Sequence, residues 1–497
     1  MIYIYNSNNK FQKQIEYVFM NIFSFLGLKY SYEFDKNSSL KRDDILIIYD
    51  ELESKEYYKD YVQNIITIKP SGTLFSESYL KRDSIPSKIR KYEFKNGRCI
   101  CDNIISIFND RNELYIKYNI ENKKIIETNI DIISDIFFML SRYEEVVNEE
   151  VYENEKFKRF SASESIIFKN NFLHRPIVNE HIELLWSLID SFNLGYKKKK
   201  WWGIKEFAAC LTHDVDMVMK FNSIKSIVKP IFKLMVKNID MNKIFSIVDI
   251  YLRNNYRKDP FWTFDYIMNI EKKYSFKSSF YFMSGGNSKF DNFYSIEDEK
   301  VLRLINNMEK NGFEAGYHCS FNSYNNFNVM EREKSAIDKI LNNKSYGCRQ
   351  HFLRFRAPLT WKLQEKLGFL YDSTLSYADA EGFRCGTCIP YKPYDLLEDR
   401  VLNIIEIPLI VMDGSLQNPD YRAYSPKEGL GKTKSLIEVV KKYNGVFTIL
   451  YHNSSFDYYN HMWDGWKETY EETMSYLCKS NCYGTNGREI VKMLNIR

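Results

Sequence analysis

No stretch of this chain stays apolar over the roughly 20 consecutive residues needed to cross a bilayer. The first ten residues, Met-Ile-Tyr-Ile-Tyr-Asn-Ser-Asn-Asn-Lys, lack the basic region and long apolar run of a secretory signal. A soluble, cytoplasmic protein is the expectation. Charge of one sign is not concentrated either, since 70 basic and 65 acidic residues are interspersed and leave a formal charge of +5. The one sharp basic run, Lys197 to Lys200, reads as a solvated linker, so a nucleic-acid partner is not expected. Cysteine is scarce, nine in 497 residues, and the odd count in a reducing compartment implies free thiols. Cys385 and Cys388 have a ligand-like gap, with Cys478 and Cys482 as conceivable partners. Their separation in sequence favours buried thiols over a zinc site.

What is present suffices for folded cores: 44% hydrophobic and 16% aromatic residues in a length that implies two or three domains. Residues 1–196 carry apolar runs at Ile2–Tyr5, Ile45–Tyr49 and Ile65–Ile68 between polar, amphipathic segments, which predicts a smaller α/β domain of unknown role. Helical spacing is seen over Asp131–Glu145 and Val178–Phe192. Arg142, Glu144, Arg175 and Glu180 there read as inter-domain or surface ion pairs. A linker over 197–204, ending in Trp201-Trp202-Gly203, marks the boundary.

From 205 to 497 short apolar strands alternate with amphipathic helices, as parallel strands with helical crossovers require. Strands are expected at Phe207–Leu211, Ser279–Met283, Phe313–Tyr317, Leu353–Arg356, Ile404–Pro408 and Val446–Tyr451. A distorted (β/α) barrel of about seven strands is the predicted fold, with a helical insertion at about 221–258 placed to cap a pocket. Thr212-His213-Asp214-Val215-Asp216 follows the first strand. Alternate residues of an extended chain face one way, so Asp214 and Asp216 both point at a pocket floor, one suited to a metal and the other to a proton. Four of the seven histidines, His213, His318, His351 and His452, stand at strand ends of this half. Asp216 and His318 supply two ligands of a catalytic zinc-like site, Arg356 is placed to fix Asp214 through a bidentate pair, and His452 is placed as an acid.

The order of these motifs resembles the NodB-homology polysaccharide deacetylases, carbohydrate esterase family four, over roughly 205–455. The resemblance implies Asp214 as catalytic base, Asp216 and His318 as metal ligands, Arg356-Ala357-Pro358 as the third motif, and His452 in Leu450-Tyr451-His452 as catalytic acid. The family's second histidine ligand falls on Asn322, a departure. The whole chain also resembles a bacterial subgroup with an uncharacterised N-terminal domain, on the runs Phe137–Glu145, His318–Ser323, Arg349-Gln350-His351 and Tyr371–Leu375. His351 is the first choice for the missing ligand and Asn322 the alternative, because imidazole suits zinc-class metals better than a neutral amide. Asp372 is assigned to orient His452 or Arg356, and His213, Asp379 and Arg384 to the surroundings of the metal or to substrate.

The activity implied is metal-assisted removal of an N-acetyl group from a sugar or glycan precursor. The divalent metal would be zinc first, with cobalt, nickel or manganese as alternatives. One backbone N–H near Tyr317 or Phe321 would hold the oxyanion, and Trp361, Tyr377 and Tyr391 are candidates for stacking on sugar rings. Two further readings use the same residues: a hydrolase of a non-sugar amide or cyclic imide, and an inactive glycan-binding protein, which the absent second histidine favours.

Overall fold

The computed structural model describes residues 1–32, 41–50, 62–86, 88–94, 102–108, 113–119, 124–237, 241–253, 255–291, 293–457 and 459–494. Its N-terminal sheet runs in the order Tyr30–Ser31, Ile2–Asn6, Ile45–Tyr49, Asn64–Ile68, Lys124–Thr128, Ile116–Asn119. All neighbours are parallel except the last pair. Ile45–Tyr49 and Asn64–Ile68 are buried at every residue, which is why they read as unbroken apolar runs instead of alternating ones. The stretch Asp131–Glu145, read above as one helix, is two: Ile132–Leu140 and Tyr143–Val147. Arg142 between them adopts a left-handed φ of 54°, which ends the first helix and turns the guanidinium into the core.

The larger sheet has nine strands. Its main path is Ile405–Glu406, Tyr371–Asp372, Cys348–Gln350, Glu314–Cys319, Ser279–Phe282, Phe207–Val215, Val446–Leu450, Val411–Met412, and Cys482–Thr485 pairs beside the Phe207 strand. Every pairing in it is parallel. Laid flat, eight strands would hold their edges roughly 34 Å apart. The edge strands, however, are joined by residues 407–410 alone, a connection that spans at most about 18 Å. The sheet must therefore curl, and it forms an open, barrel-like trough.

The barrel expectation is met in kind, with more strands than counted from sequence. Tyr371–Asp372, Val411–Met412 and Cys482–Thr485 are too short or too polar to stand out as apolar runs. The expected strand Leu353–Arg356 is displaced. The strand there is Cys348–Gln350, followed by a single tight turn at His351–Leu353 in which Phe352 and Leu353 have φ of 61° and 52°. The insertion is helical as read, with helices Ile224–Lys237 and Met241–Leu252.

The two sheets share one continuous core. At their junction Arg142 and Arg384 converge on Glu145. Arg384 makes a bidentate pair at 2.9 and 2.7 Å, Arg142 Nη2 lies at 2.8 Å, and all three side chains are buried. Arg142 also donates to the Arg384 carbonyl. Burial alone would push the Glu145 carboxyl up, but Arg384 and then Arg142 outweigh it and bring it down to about 2. Nearby, Trp201 Nε1 donates to the Phe25 carbonyl at 2.8 Å, and Trp202 Nε1 to that of Asn444 at 2.8 Å, so the linker is stitched to both sides. A carboxyl depressed on folding stabilises above its unfolded value and loses that contribution as pH falls towards the folded one. Glu145→Gln should therefore lower the unfolding free energy by roughly 3 kcal/mol near neutral pH. In urea titrations the gap between wild type and variant should close as pH falls from about 4.3 towards about 2.

Candidate metal centre

Parallel strands bring all their C-terminal ends to one rim, and the candidate residues collect there. Asp214 is the penultimate residue of Phe207–Val215, and Asp216 follows the strand. His318 lies in Glu314–Cys319, His351 directly follows Cys348–Gln350, and His452 stands two residues beyond Val446–Leu450. Period-two alternation sends Thr212 and Asp214 into the trough and His213 out of it. Thr212 accepts a bond from the interior Arg349, whereas His213 bonds the Tyr451 carbonyl at 2.7 Å and Glu271 at 2.9 Å among the outer helices.

Asp216, His318 and His351 each offer a donor atom, and these atoms lie within 4.8 Å of one another. They are the one such group of three histidine, cysteine or acidic residues among the described residues. Asp216 Oδ1 is 3.0 Å from His318 Nε2 and 3.5 Å from His351 Nε2. The far side of each ring is fixed. His318 Nδ1 donates to the Arg349 carbonyl at 3.0 Å, and His351 Nδ1 to Asp291 Oδ1 at 3.2 Å. Carbonyl and carboxylate oxygens only accept, so both rings carry a proton on Nδ1 and direct Nε2 at Asp216; when the Nε2 proton that faces Asp216 is given up, each ring is the tautomer a metal ligand needs. Two imidazoles and a carboxylate suit a zinc-class divalent ion.

Charge at the centre is strongly coupled. Burial opposes protonation of His351, but Asp216 and Asp291 outweigh it and raise the ring to about 9. Burial likewise works against ionisation of Asp216, yet His351, His318 and His452 hold its carboxyl well below the usual range. The Asp216 side chain keeps 28% of its surface open towards the mouth, so the cluster remains reachable from solvent.

His452 presents Nε2 3.8 Å from Asp216 Oδ2. Its Nδ1 donates to Asp413 Oδ1 at 2.8 Å, its backbone N–H to Asp413 Oδ2 at 2.7 Å, and the Ser455 hydroxyl also donates to Asp413. Burial lowers the tendency of His452 to hold a proton, but Asp413 and then Asp216 raise the ring to about 10. Asp214 is buried, 3.9 Å from His318 Nε2, and its Oδ1 has no hydrogen-bond partner. Arg349, fully buried, brings Nε to 3.8 Å from that oxygen and anchors its tip on Thr212 Oγ1 at 2.9 Å and Ser373 Oγ at 3.2 Å.

Residues 2–193 match the model of a family of unknown function (DUF7033). No curated protein matches the chain. Among solved structures, the chain is similar to a provisionally named polysaccharide deacetylase from Mycobacterium smegmatis, at 15% identity over 59% of this chain and 91% of that one, with a TM-score of 0.39.

Several expectations are corrected by this geometry. Arg356 does not reach Asp214. Its guanidinium faces Glu149 at 3.2 Å and Glu153 at 3.9 Å, and the arginine beside Asp214 is Arg349. Asp372 orients neither His452 nor Arg356: it accepts from Gln364 at 2.6 Å and Thr374 Oγ1 at 2.7 Å in the barrel wall. The acid behind His452 is Asp413. Asn322 is exposed, with its amide oxygen 3.4 Å from Arg354, which leaves His351 as the residue at the ligand position. Arg384 is committed to Glu145, and Asp379 accepts from the Ala162 N–H at 3.2 Å. Both line a separate cleft of about 180 Å³ with Arg159 and Tyr421. The N–H groups of Tyr317 and Phe321 are already bonded, to the Gly347 carbonyl and to Asp291. Trp361, Tyr377 and Tyr391 are buried core residues. Cys385, Cys388 and Cys482 are buried free thiols and Cys478 an exposed one, while Cys99 and Cys101 lie outside the described residues.

Three residues that sequence reasoning missed complete the rim: Asp291, Arg349 and Asp413. Asp413 follows the apolar run Leu409–Met412, an acid just past a short strand, which was the available signal. Asp291 sits in a loop with no periodicity to mark it. Because Asp291 aims His351, Asp291→Asn should weaken zinc affinity by about 10- to 100-fold in competition with a chromophoric chelator. Uptake of the ion should release a proton from His351, so affinity should rise with pH up to about 9. Calorimetry in two buffers of different ionisation enthalpy reads that proton.

Proposed function

We propose that this protein is a divalent-metal-dependent hydrolase that removes an acetyl group from the nitrogen of a sugar or glycan precursor. The observation that carries the reading is the convergence of Asp214, Asp216, His318, His351 and His452 on one rim. The motif order shared with the NodB-homology deacetylases supports the acetyl group and the sugar. Residues 205–497 form the hydrolytic unit in this reading, and residues 1–196 buttress it: Glu149 and Glu153 face Arg356, and Arg159 donates to the Phe352 carbonyl at 3.3 Å beside His351.

A divalent ion held by Asp216, His318 and His351 would supply a Lewis acid for the amide carbonyl and make water acidic enough to ionise near neutral pH. The residues of the chain do the rest. Asp214, whose Oδ2 faces His318 Nε2 at 3.9 Å, takes the proton from the attacking water. Arg349 keeps a fixed positive charge behind that carboxylate, 3.8 Å from Oδ1. An amine leaves only when protonated as the C–N bond breaks, and the His452 imidazolium, sustained by Asp413, delivers that proton from Nε2. Water and amide thus become acetate and free amine.

The test is acetate release from N-acetylated saccharides by protein loaded with zinc or cobalt. Asp214→Asn should keep its metal and lose about 10²- to 10⁴-fold in kcat. Asp413→Asn should lower kcat and shift the alkaline limb of the pH profile down, because the charged ring of His452 loses its support. Turnover undiminished in Asp214→Asn, or no acetate from any N-acetyl saccharide by the loaded protein, would contradict the proposal.

A further inference from the structure

Fifteen large hydrophobic residues stand exposed among the described residues, and eight of them fall on the helical hairpin after the Asp214 strand: Ile224, Val228, Phe232, Met235, Val236, Met241, Phe245 and Leu252. Scattered singly, such residues need no explanation; gathered on 29 residues they do.

Their spacing is regular. In the first helix Ile224, Val228, Phe232 and Met235 recur at i, i+4, i+8 and i+11, one narrow stripe. In the second, Met241, Phe245 and Leu252 recur at i, i+4 and i+11. This stripe is not the side that holds the hairpin together. A different face of the first helix, Ile227, Ile231 and Leu234, packs with Phe221, Ile247 and Ile250. The hairpin is thus satisfied internally and keeps a second apolar face towards solvent, with Phe232 66% exposed and Val236 67% exposed.

Along the first helix the charge beside that face is one-sided, while the second helix carries Asp249 in its stripe, paired with Arg253 at 3.0 Å. Lys225, Lys229 and Lys233, all exposed, recur every four residues and so form a ridge about 100° round the helix from Ile224, Val228 and Phe232. The first helix, Ile224–Lys237, contains no acidic residue. An apolar stripe flanked by lysines is complementary to a surface with a hydrocarbon interior and a negatively charged skin. A second copy of this chain would have to place like-charged lysine ridges side by side.

We propose that this hairpin docks the protein on the surface of an anionic lipid bilayer, with the apolar stripe in the interface and the lysine ridge on lipid phosphates. Its base is clamped to the hydrolytic rim. Asp259 accepts from the N–H groups of Lys220 and Phe221 at 2.8 and 2.9 Å, Lys220 pairs with Asp457, and Asn453 Nδ2 donates to the carbonyls of Met217 and Phe261 at 2.8 and 2.7 Å. Docking therefore ties the lipid-bound hairpin to the segments that carry Asp216 and His452. The inference stands on the hairpin alone and is independent of the reaction proposed above.

Co-sedimentation of the full chain with vesicles tests it without any substrate. The protein should pellet with phosphatidylcholine vesicles containing about a third phosphatidylglycerol and stay in solution with phosphatidylcholine alone, and salt should release it. Phe232→Asp should reduce binding at least tenfold, and each of Lys225→Gln, Lys229→Gln and Lys233→Gln about fivefold. All four side chains are exposed, so unchanged circular dichroism and melting temperature serve as the control for folding. No binding to either vesicle, or binding indifferent to these substitutions, would overturn the proposal. So would a dimer in sedimentation equilibrium that Phe232→Asp dissociates, which would assign the face to a second copy.

Discussion

The carboxylate of Asp216 is the contact on which the rim depends. It lies between His318 and His351, and His452 approaches its other oxygen. Three histidines from three strands can meet one acid only if the strands are parallel, in register and curled, so that their ends face a common centre. The short connection between the two edge strands enforces that curl. Each imidazole is then aimed from behind by a group that only accepts: a backbone carbonyl for His318, Asp291 for His351 and Asp413 for His452.

Polarity is unusually deep in this trough. Arg349 lies across the Tyr281 ring at 5.2 Å, and Tyr371 links Glu314, Ser279 and Tyr281 through its hydroxyl. Such a network tolerates burial only when each group is paired, and two of the buried atoms left without a hydrogen bond stand at the candidate site. Asp214 Oδ1 and Arg349 Nε face each other at 3.8 Å, too far for a hydrogen bond, and neither has another partner. The other carboxylate oxygen of Asp214, Oδ2, turns to His318 Nε2 at 3.9 Å, the side on which the metal-type cluster needs a proton acceptor.

The sequence made the backbone plan and the acids and histidines legible where local chemistry was dense. Strands such as Phe207–Val215 and Val446–Leu450 announce themselves as apolar runs, and Asp214, Asp216 and His318 stand at or just past such runs. Arg356 stands out in the sequence and Arg349 does not, because Leu353–Arg356 looks more strand-like than the polar Cys348–Gln350. A strand whose side chains line a polar trough carries no hydrophobic signature. Asp372 and Asp413 illustrate the same limit. Both are acids at strand ends, and only tertiary placement decides that Asp372 turns to Gln364 while Asp413 meets His452. Arg384 looked like a substrate contact because nothing local shows that Glu145, 239 positions earlier, is its partner.

The most direct test of the account is elemental analysis of the purified protein beside single alanine variants. About one equivalent of a transition metal should be found in the wild type and in Asn322→Ala, and should be lost from Asp216→Ala, His318→Ala and His351→Ala. Metal retained by His351→Ala but lost from Asn322→Ala would contradict the ligand set, and no metal in the wild type even after incubation with zinc, cobalt or nickel would contradict the centre itself.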